Sequence, residues 1–351
     1  MRKLEIAVAG AGLIGRRHIE LILSSTECRL SAIVDPAPGA AAIAASSNVP
    51  LYPTLSEMFA AHRPDGVVLA TPNHLHVDHA LECIRAGVGA LVEKPVAHTL
   101  EAGRRLCDIA EHTRARILVG HHRVHSTVLA TACEIVGQGT LGRLVAVVGS
   151  AMFYKPDDYF DEAPWRRQAG GGPILINMIH EIGNLRALCG DIVAVQALAS
   201  NAMRGFAVED TVAITFRFAN DALGTFMLSD TAASARSWEQ TSQENKSYAT
   251  YPDEDCYVVV GTDGSLAVPT MRLKTYPRRE DRSWWKPFET RVVPIDRADP
   301  LERQLVHFCA ILRGEVAPRV SVRDGLQNLR VTEAIAEAAR VGKLVLIPEA
   351  S

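Results

Sequence analysis

The sequence predicts an α/β protein in which an N-terminal, doubly wound parallel sheet precedes a second α/β domain with an open, mostly antiparallel sheet. Two observations predict this architecture. Short buried strands alternate with helical patterns over the first third of the chain, which is typical of βαβ units. Farther on, runs of alternating apolar and polar residues indicate antiparallel strands with one exposed face. The expected domains comprise residues 1–122 and 123–351, with the C-terminal helix packing back on the first domain.

The composition is that of an ordinary globular protein, and 351 residues are enough for two domains. A net charge of −3 without a basic run argues against a nucleic-acid partner. No apolar stretch reaches the roughly 20 residues that a membrane helix needs. The N-terminus runs straight into a strand instead of a signal peptide. The seven cysteines form no C-x-x-C pair, which favours reduced thiols in a cytoplasmic protein over disulfides or zinc.

A glycine-rich motif follows the first strand, Leu4–Ala9, and opens a helical pattern. In the segment Gly10-Ala11-Gly12-Leu13-Ile14-Gly15, the first glycine permits a tight turn and the second lets a pyrophosphate approach the backbone. The third lets the helix pack close to the strand. The N-terminus of that helix, which begins with Leu13 and Ile14, is expected to face the phosphates. This arrangement predicts a Rossmann dinucleotide-binding domain.

Asp35 ends the second predicted strand, Leu30–Val34, where the carboxylate that binds the adenosine ribose is expected. A carboxylate repels a 2′-phosphate, and no arginine or lysine follows closely. NAD is therefore favoured over NADP as the cofactor.

The strand Asp65–Ala70 ends in Thr71-Pro72-Asn73, which should lie at the ligand-binding edge of the sheet and contact the dinucleotide. Asn73 is expected to cap the helix Leu75–Ala86. His76 lies in the first turn of that helix. It is a candidate cofactor contact, although a lone histidine is more often structural.

Glu93-Lys94-Pro95 follows a short apolar strand, Gly89–Val92. The proline disfavours the helical region for Lys94, so the lysine should be extended at a rigid strand end. The alternative is an ordinary surface lysine. The next elements are a helix, Thr99–Thr113, with Thr99 as its cap, and a strand, Ile117–Gly120.

His121, His122 and His125 invite a metal hypothesis, but no suitably spaced carboxylate accompanies them. No metal is expected. These side chains and Arg123 are predicted to line a binding crevice.

The pattern changes in the second domain. The segment Phe153–Asp161 is predicted to be a polar-aromatic loop, and Gly170-Gly171-Gly172-Pro173 opens a long helix, Ile174–Leu188. Asn177 and His180 share a face of that helix. The segment Asp230–Asp255 is predicted to be a long polar loop holding Trp238. The other predicted helices are Thr127–Gly137, Pro300–Arg313 and Arg323–Val341. The predicted strands are Leu144–Met152, Val193–Ala199, Thr211–Phe218, Ala222–Ser229, Tyr257–Gly261, Leu266–Val268 and Val292–Pro294.

Taken together, the motifs resemble the Gfo/Idh/MocA family of nicotinamide-dependent oxidoreductases, and the resemblance covers essentially the whole chain. The matching residues are Gly10-x-Gly12-x-x-Gly15, Asp35, Ala70-Thr71-Pro72-Asn73, Glu93-Lys94-Pro95, Trp165-Arg166, Gly170-Gly171-Gly172 and His180. The resemblance implies NAD contacts by these N-terminal motifs, including Glu93 and Lys94, and by Trp165 and Arg166. It also implies a cis Pro95, and a homodimer or homotetramer formed through the second sheet.

The same resemblance implies that Lys94 contacts both substrate and nicotinamide and that His180 is the acid/base candidate. One position departs from the family pattern. Ile176 stands where an aspartate commonly occurs four residues before the histidine, and Asn177 stands beside it. An amide cannot act as a base, so the expected catalytic set is Lys94 and His180, with Asn177 orienting the substrate.

A histidine with an ordinary pKa of about 6.5 suits proton transfer at neutral pH, while a charged lysine can stabilise a developing alkoxide. The expected substrate is a cyclic polyol, a sugar or a related hydroxylated ring. The expected substrate contacts are Lys94, Arg123, Tyr154, Asn177 and His180. Three alternatives remain: a cis-dihydrodiol dehydrogenase of aromatic catabolism, an NAD-dependent glycoside-cleaving enzyme, and a catalytically inactive NAD-sensing regulator.

Overall fold

A computed structural model describes residues 2–348, which form two compact units. The first unit runs to His122 and takes in Pro300–Leu329. The second comprises Arg123–Asp299 and continues from Arg330. Within residues 2–348, no helix has the length and apolar character needed to cross a membrane.

The first unit contains a six-stranded sheet in the order β3-β2-β1-β4-β5-β6, with every neighbouring pair parallel. Its strands are β1 (Leu4–Ala9), β2 (Cys28–Val34), β3 (Leu51–Tyr52), β4 (Gly66–Leu69), β5 (Gly89–Glu93) and β6 (Ile117–Gly120). The helices between them are α1 (Leu13–Ser24), α2 (Ala40–Ser46), α3 (Leu55–Ala61), α4 (His76–Ala86) and α5 (Leu100–Thr113). The chain reverses its winding direction between β1 and β4, so the loops that follow these two strands flank the switch point where dinucleotides bind.

Two glycines at the beginnings of strands allow a later helix to pack closely in this unit. A Cβ on Gly66 would lie 2.7 Å from Leu312 Cδ1, and one on Gly89 would lie 2.3 Å from Leu312 Cδ2. Leu312 belongs to α10 (Pro300–Arg313), which also buries Phe308 in the same core. The first unit therefore depends on a helix that is distant in sequence.

The second unit contains a nine-stranded sheet in the order β14-β13-β12-β11-β7-β10-β9-β8-β15. Its strands are β7 (Leu144–Met152), β8 (Ile192–Ser200), β9 (Thr211–Phe218), β10 (Leu223–Ser229), β11 (Tyr257–Gly261), β12 (Gly264–Val268), β13 (Arg272–Thr275), β14 (Glu289–Val292) and β15 (Val345–Leu346). Only β7 and β10 pair in parallel; the other pairs described here are antiparallel. The predicted fold class is therefore confirmed.

One face of this second sheet is covered by helices. These include α6 (Thr127–Gly137), whose N-terminus is capped by the Ser126 hydroxyl accepting from Leu129 N, and α8 (Ile179–Cys189). Part of α11 (Val322–Val341) also contributes to this core. Strands β9 and β10 alternate between buried and open positions, so the opposite face of the sheet is exposed.

The structure corrects four local predictions. Asn73 does not cap a helix, because a 3₁₀ turn at Asn73–Leu75 precedes α4 and the residue at the α4 cap position is Leu75. The predicted loop Phe153–Asp161 contains a short helix, α7 (Asp157–Asp161). Trp238 begins another, α9 (Trp238–Thr241), and is buried. The predicted helix Ile174–Leu188 is not continuous, because Ile174–Met178 forms a π-helical turn before α8.

Candidate active site

The glycine motif of the first unit forms the tight strand-to-helix turn that the sequence predicts. Gly10 has φ +90°, and a Cβ there would lie 2.5 Å from Ala70 O. A Cβ on Gly15 would lie 1.8 Å from Gly10 O, so both positions require glycine. A Cβ on Gly12 would meet no atom within 4 Å. That open space over the start of α1, beside Leu13 and Ile14, is what a pyrophosphate needs to approach the backbone.

Asp35 follows β2 and is bound to this turn. Its Oδ2 accepts from Ala11 N at 2.7 Å, and its Oδ1 accepts from Ala37 N at 2.8 Å. The carboxylate is partly exposed, and each oxygen retains a second lone pair for a ribose hydroxyl. The residues present therefore fit an NAD ribose, with the charge that disfavours a 2′-phosphate.

The segment after β4 carries Thr71, Pro72 and Asn73 at the same edge of the sheet. Pro72 and Asn73 are exposed, while Thr71 Oγ1 lies 3.1 Å from His79 Nδ1. His76 is only 1% exposed, and its ring nitrogens lie 2.8 Å from Thr71 O and 2.7 Å from Pro95 O. The predicted cofactor contact by His76 is revised, because its imidazole is buried and joins the loops after β4 and β5.

Glu93 is the last residue of β5, and its carboxylate is buried. Its Oε1 lies 2.8 Å from His18 Nε2 of α1, and its Oε2 accepts from Lys94 N at 3.2 Å. Gly120 leaves the room for this carboxylate, since a Cβ there would lie 3.0 Å from Glu93 Oε2. Burial by itself would raise the pKa of Glu93, but the hydrogen bond and charge of His18 lower it overall. A direct cofactor contact by this side chain, which the sequence predicts, is therefore replaced by a positioning role.

Lys94 follows β5 directly and is half-buried. The Lys94–Pro95 bond is cis, in agreement with what the family resemblance implies. The rigid strand end and the Glu93 carboxylate fix the backbone of Lys94 at the edge of the sheet where the other motif residues lie.

The second unit carries Asn177 in the π-helical turn and His180 in the first turn of α8; both side chains are half-buried. Asn177 Oδ1 accepts a hydrogen bond from Lys155 Nζ at 2.7 Å. Glu209 Oε1 accepts from Ile174 N at 2.9 Å, which satisfies a backbone donor at the start of the π turn. π-helical turns are frequently found at functional sites.

Lys155 is a residue that the sequence predictions did not select. Its Nζ also lies 3.4 Å from Asp230 Oδ2 and 4.9 Å from the centroid of the Tyr159 ring. Burial lowers the pKa of Lys155 to about 8, although Asp230 opposes this change. The aromatic residues next to Lys155 in the sequence were a weak indication that its side chain is enclosed by other groups. Asp230 lies too far along the chain to be paired with Lys155 from the sequence.

Arg123 is buried and does not offer the free guanidinium that the substrate prediction requires. Its Nη1 donates to Glu181 at 2.5 Å and its Nη2 donates to Glu239 at 2.8 Å. Glu181 also accepts from the Tyr257 hydroxyl. Although burial opposes it, the charges of Glu181 and Glu239 raise the pKa of Arg123. The predicted substrate contact of Arg123 is therefore revised to a structural role.

The aromatic candidates of the second unit remain open to a ligand. Tyr154 and Trp165 are both more than half exposed. Arg166 packs its guanidinium 3.7 Å from the centroid of the Tyr159 ring and donates to Tyr159 O. Cofactor contacts by Trp165 and Arg166 stay predictions.

The three clustered histidines do not form a metal site. His121 and His125 are buried, and His121 Nε2 lies 3.3 Å from Asn328 Nδ2. Among residues 2–348, no group of three or more histidine, cysteine, aspartate or glutamate side chains is arranged to hold a metal ion.

The fold and the motif-bearing edge of the first sheet define an NAD-binding oxidoreductase. Residues 4–121 match the model of an oxidoreductase family with an NAD-binding Rossmann fold, and residues 129–267 match the GFO/IDH/MocA C-terminal domain. The protein belongs to the GFO/IDH/MocA family. The predicted family and the predicted NAD cofactor are thereby confirmed.

Several known proteins are similar to this chain. The rhizopine catabolism protein MocA of Rhizobium meliloti is 30% identical over 54% of this chain and 58% of its own length. An inositol 2-dehydrogenase of Rhizobium meliloti strain 1021 is 25% identical over 94% of this chain and 95% of its own. The crystal structure of the WlbA dehydrogenase from Bordetella pertussis, in complex with NADH and UDP-GlcNAcA, has a TM-score of 0.79. It is 25% identical and covers 99% of both chains.

Proposed function

We propose that this enzyme transfers a hydride between NAD and a secondary alcohol of a cyclic polyol, a sugar or a related hydroxylated ring, with Lys94 and His180 as its polar catalytic pair. The observation that carries the proposal is the position of Lys94. It follows β5 at the edge of the sheet where the glycine turn and Asp35 provide the features of an NAD site. An inositol 2-dehydrogenase and a D-glucoside 3-dehydrogenase among the relatives support the same substrate class.

NAD supplies the hydride acceptor when it is bound. The ammonium of Lys94 would donate to the reacting oxygen and stabilise the negative charge that develops as the alcohol loses its proton. His180 would take that proton, because an imidazole titrates close to neutral pH. Asn177 would orient a substrate oxygen, since an amide can form hydrogen bonds but cannot act as a base. In the reverse direction, His180 would return the proton to a carbonyl oxygen.

A substrate panel tests this function and separates the alternatives. Purified protein is incubated with NAD or NADP and with inositols, sugars, hydroxy acids or cis-dihydrodiols, and absorbance is followed at the reduced-nicotinamide band. Turnover of a polyol or sugar with NAD supports the proposal. Turnover restricted to dihydrodiols favours a dihydrodiol dehydrogenase. Release of sugar from a chromogenic glycoside without net NADH favours the glycoside-cleaving alternative, and NAD binding without any turnover favours a regulator.

We also infer that the protein is a homodimer or homotetramer that associates through the open face of its second sheet. Leu198 of β8 pairs with Ala213 of β9, which in turn pairs with Met227 of β10. Four exposed apolar side chains share this face: Val148, Leu198, Leu223 and Met227. Exposed apolar side chains that are grouped on one face of a sheet are typical of a protein–protein interface.

A cytoplasmic location is proposed on the basis of the cysteines. All seven are free, and six of them are buried. Reduced thiols are typical of proteins in reducing compartments. Detection of the protein in the cytoplasmic fraction of its natural host would support this location, and detection in the secreted fraction would contradict it.

A further inference from the structure

Lys155 and Asn177 form a contact in the second unit that the proposed hydride transfer does not explain. Lys155 is held just beyond β7, where its backbone N donates to Asp230 O at 2.9 Å. From there its Nζ reaches Asn177 Oδ1 at 2.7 Å. Lys155 is a buried residue, so water screens this contact weakly.

The contact fixes which end of the Asn177 amide faces outward. An ammonium group has three N–H donors and no acceptor, so it can pair only with the oxygen of the amide. With Oδ1 turned to Lys155, the Nδ2 group of Asn177 points away from it. Among residues 2–348, no side chain or backbone carbonyl accepts a hydrogen bond from Asn177 Nδ2, and the Asn177 side chain is only half-buried. Asn177 can therefore donate from Nδ2 to a ligand.

The charges around this pair also favour an acceptor that is negatively charged. Lys155 Nζ lies 3.4 Å from Asp230 Oδ2, and Arg204 Nε lies 3.1 Å from Asp230 Oδ1. One buried carboxylate therefore forms ion pairs with two cations. Arg166 adds a third cation over the ring of Tyr159. Arg166 and Arg204 are close enough to lower the pKa of Lys155 further, after the larger effect of burial, while Asp230 opposes them.

Three other carboxylates lie near these cations: Glu209, Asp157 and Asp210. Asp210 is buried, and its Oδ2 accepts from the backbone N of Met203 and of Arg204 at 3.0 Å. Glu209 has one oxygen bound to Ile174 N, and burial raises its pKa. Asp157 lies 3.7 Å from Arg204 Nη1, but its side chain is 86% exposed and is screened by water.

We propose that Lys155 and Asn177 form a carboxylate-selecting pair, in which Lys155 holds the amide so that Asn177 Nδ2 donates to a carboxylate on the substrate ring. The pair is specificity-determining, with Lys155 as a positioning residue. This role rests on the proposed function and extends it, since the second unit would then select the substrate. The substrate class is then a sugar acid or a carboxylated cyclic polyol. A charged acceptor suits this donor because charge-assisted hydrogen bonds are roughly twice as strong as neutral ones.

Two matched pairs of probes test the selection: D-glucuronate against D-glucose, and D-galacturonate against D-galactose. Within each pair the two compounds differ only in a carboxylate and a hydroxymethyl group. The wild-type protein is expected to show a kcat/KM at least about 10-fold higher for the acid, from one charge-assisted contact. Equal or higher kcat/KM for the neutral sugar would overturn the inference.

Substitutions assign the effect to the pair. Asn177→Asp keeps the shape and can form an ion pair with Lys155, but it turns an acceptor toward the ligand, so the acid preference should fall at least about 10-fold. Lys155→Met frees the amide to rotate, so KM for the acid should rise and Lys155→Arg should restore it in part. Lys274→Met, at an exposed lysine of β13, is the matched control and should change neither constant. An acid preference that survives Asn177→Asp would contradict the assignment.

A binding measurement that needs no turnover separates failure of this inference from failure of the proposed function. The side-chain amide resonances of Asn177, assigned by their loss in Asn177→Asp, are followed by NMR during titration with D-glucuronate. The resonances should shift in the wild-type protein, shift much less with D-glucose, and stay unchanged in a Lys155→Met protein that retains wild-type circular dichroism. If no sugar is oxidised but this shift occurs, the proposed function fails and the carboxylate site stands. If a neutral sugar is oxidised and no shift occurs, the proposed function stands and the carboxylate site fails.

Discussion

His18 of α1 and Glu93 at the end of β5 form a buried pair, with 2.8 Å between Nε2 and Oε1. The pair connects the helix of the glycine motif to the strand that carries Lys94. Because Glu93 also accepts from Lys94 N, a single carboxylate links the expected phosphate-binding element to the backbone of the expected catalytic lysine.

Glu93→Ala is expected to destabilise the protein by about 3–5 kcal/mol, because His18 is left buried without its carboxylate. It should also reduce kcat by about 10-fold through misplacement of Lys94. The lowered pKa of Glu93 means that its stabilising effect is present above its ordinary pKa and is lost as the pH falls through the folded-state value. Urea unfolding between pH 3 and 7 measures this effect, with the exposed Glu101→Ala as control. Parallel stability–pH profiles for wild type and Glu93→Ala would contradict the prediction.

Lys94→Met and His180→Ala are each expected to lower kcat by at least about 10²-fold, because each removes a group that acts on the reacting oxygen or its proton. Both proteins should still bind NAD, which is measured by calorimetric titration. Full activity in either variant would exclude that residue from the catalytic pair.

Asp35→Ala is expected to weaken NAD binding by about 10-fold and to reduce the discrimination against NADP, because it removes both the ribose acceptor and the charge. It also frees Ala11 N and Ala37 N, which that carboxylate binds. Asp35→Asn should retain more NAD affinity, since its amide oxygen can still accept one of these bonds. Dissociation constants for both dinucleotides provide the measurement. An unchanged NAD/NADP ratio in Asp35→Ala would place the ribose elsewhere.

Arg123→Met is expected to destabilise the protein by about 3–5 kcal/mol, because Glu181 and Glu239 lose the buried cation that they share. Arg63→Met, at an exposed position after α3, should cost less than about 0.5 kcal/mol. Chemical denaturation measures both. If Arg123→Met instead raised KM at wild-type stability, the guanidinium would be a substrate contact after all.

Met227→Asp is expected to convert a dimer or tetramer into smaller species, because it places a charge in the middle of the exposed apolar face. Leu23→Asp, at an exposed apolar position of α1 in the first unit, is its control. Sedimentation velocity gives the masses. A wild-type protein that sediments as a monomer would remove the basis for the proposed interface.

The elements closest to the expected cofactor were predictable because their information is local. Gly10, Gly12 and Gly15 are adjacent to the strand and helix that they join, and the bounds of β1, β6 and α6 agree with the sequence patterns. The roles of buried polar residues were not predictable. Arg123 was expected to face a substrate, but its partner Glu239 lies 116 residues away. Hydrophobic periodicity and secondary-structure propensity do not show which charged side chains will pair when they are far apart in the sequence. These pairings decide which charged groups remain open to a ligand.

The π-helical turn at Ile174–Met178 has a consequence for the comparison of relatives. A π turn closes i→i+5 hydrogen bonds, so it holds one residue more than the α-helical turn that it replaces. Counting back three or four residues from His180, as in an α-helix, therefore does not identify the side chain that lies on the same face of the helix as His180. The insertion or deletion of one residue in this turn would exchange the chemistry beside the histidine without substituting any amino acid.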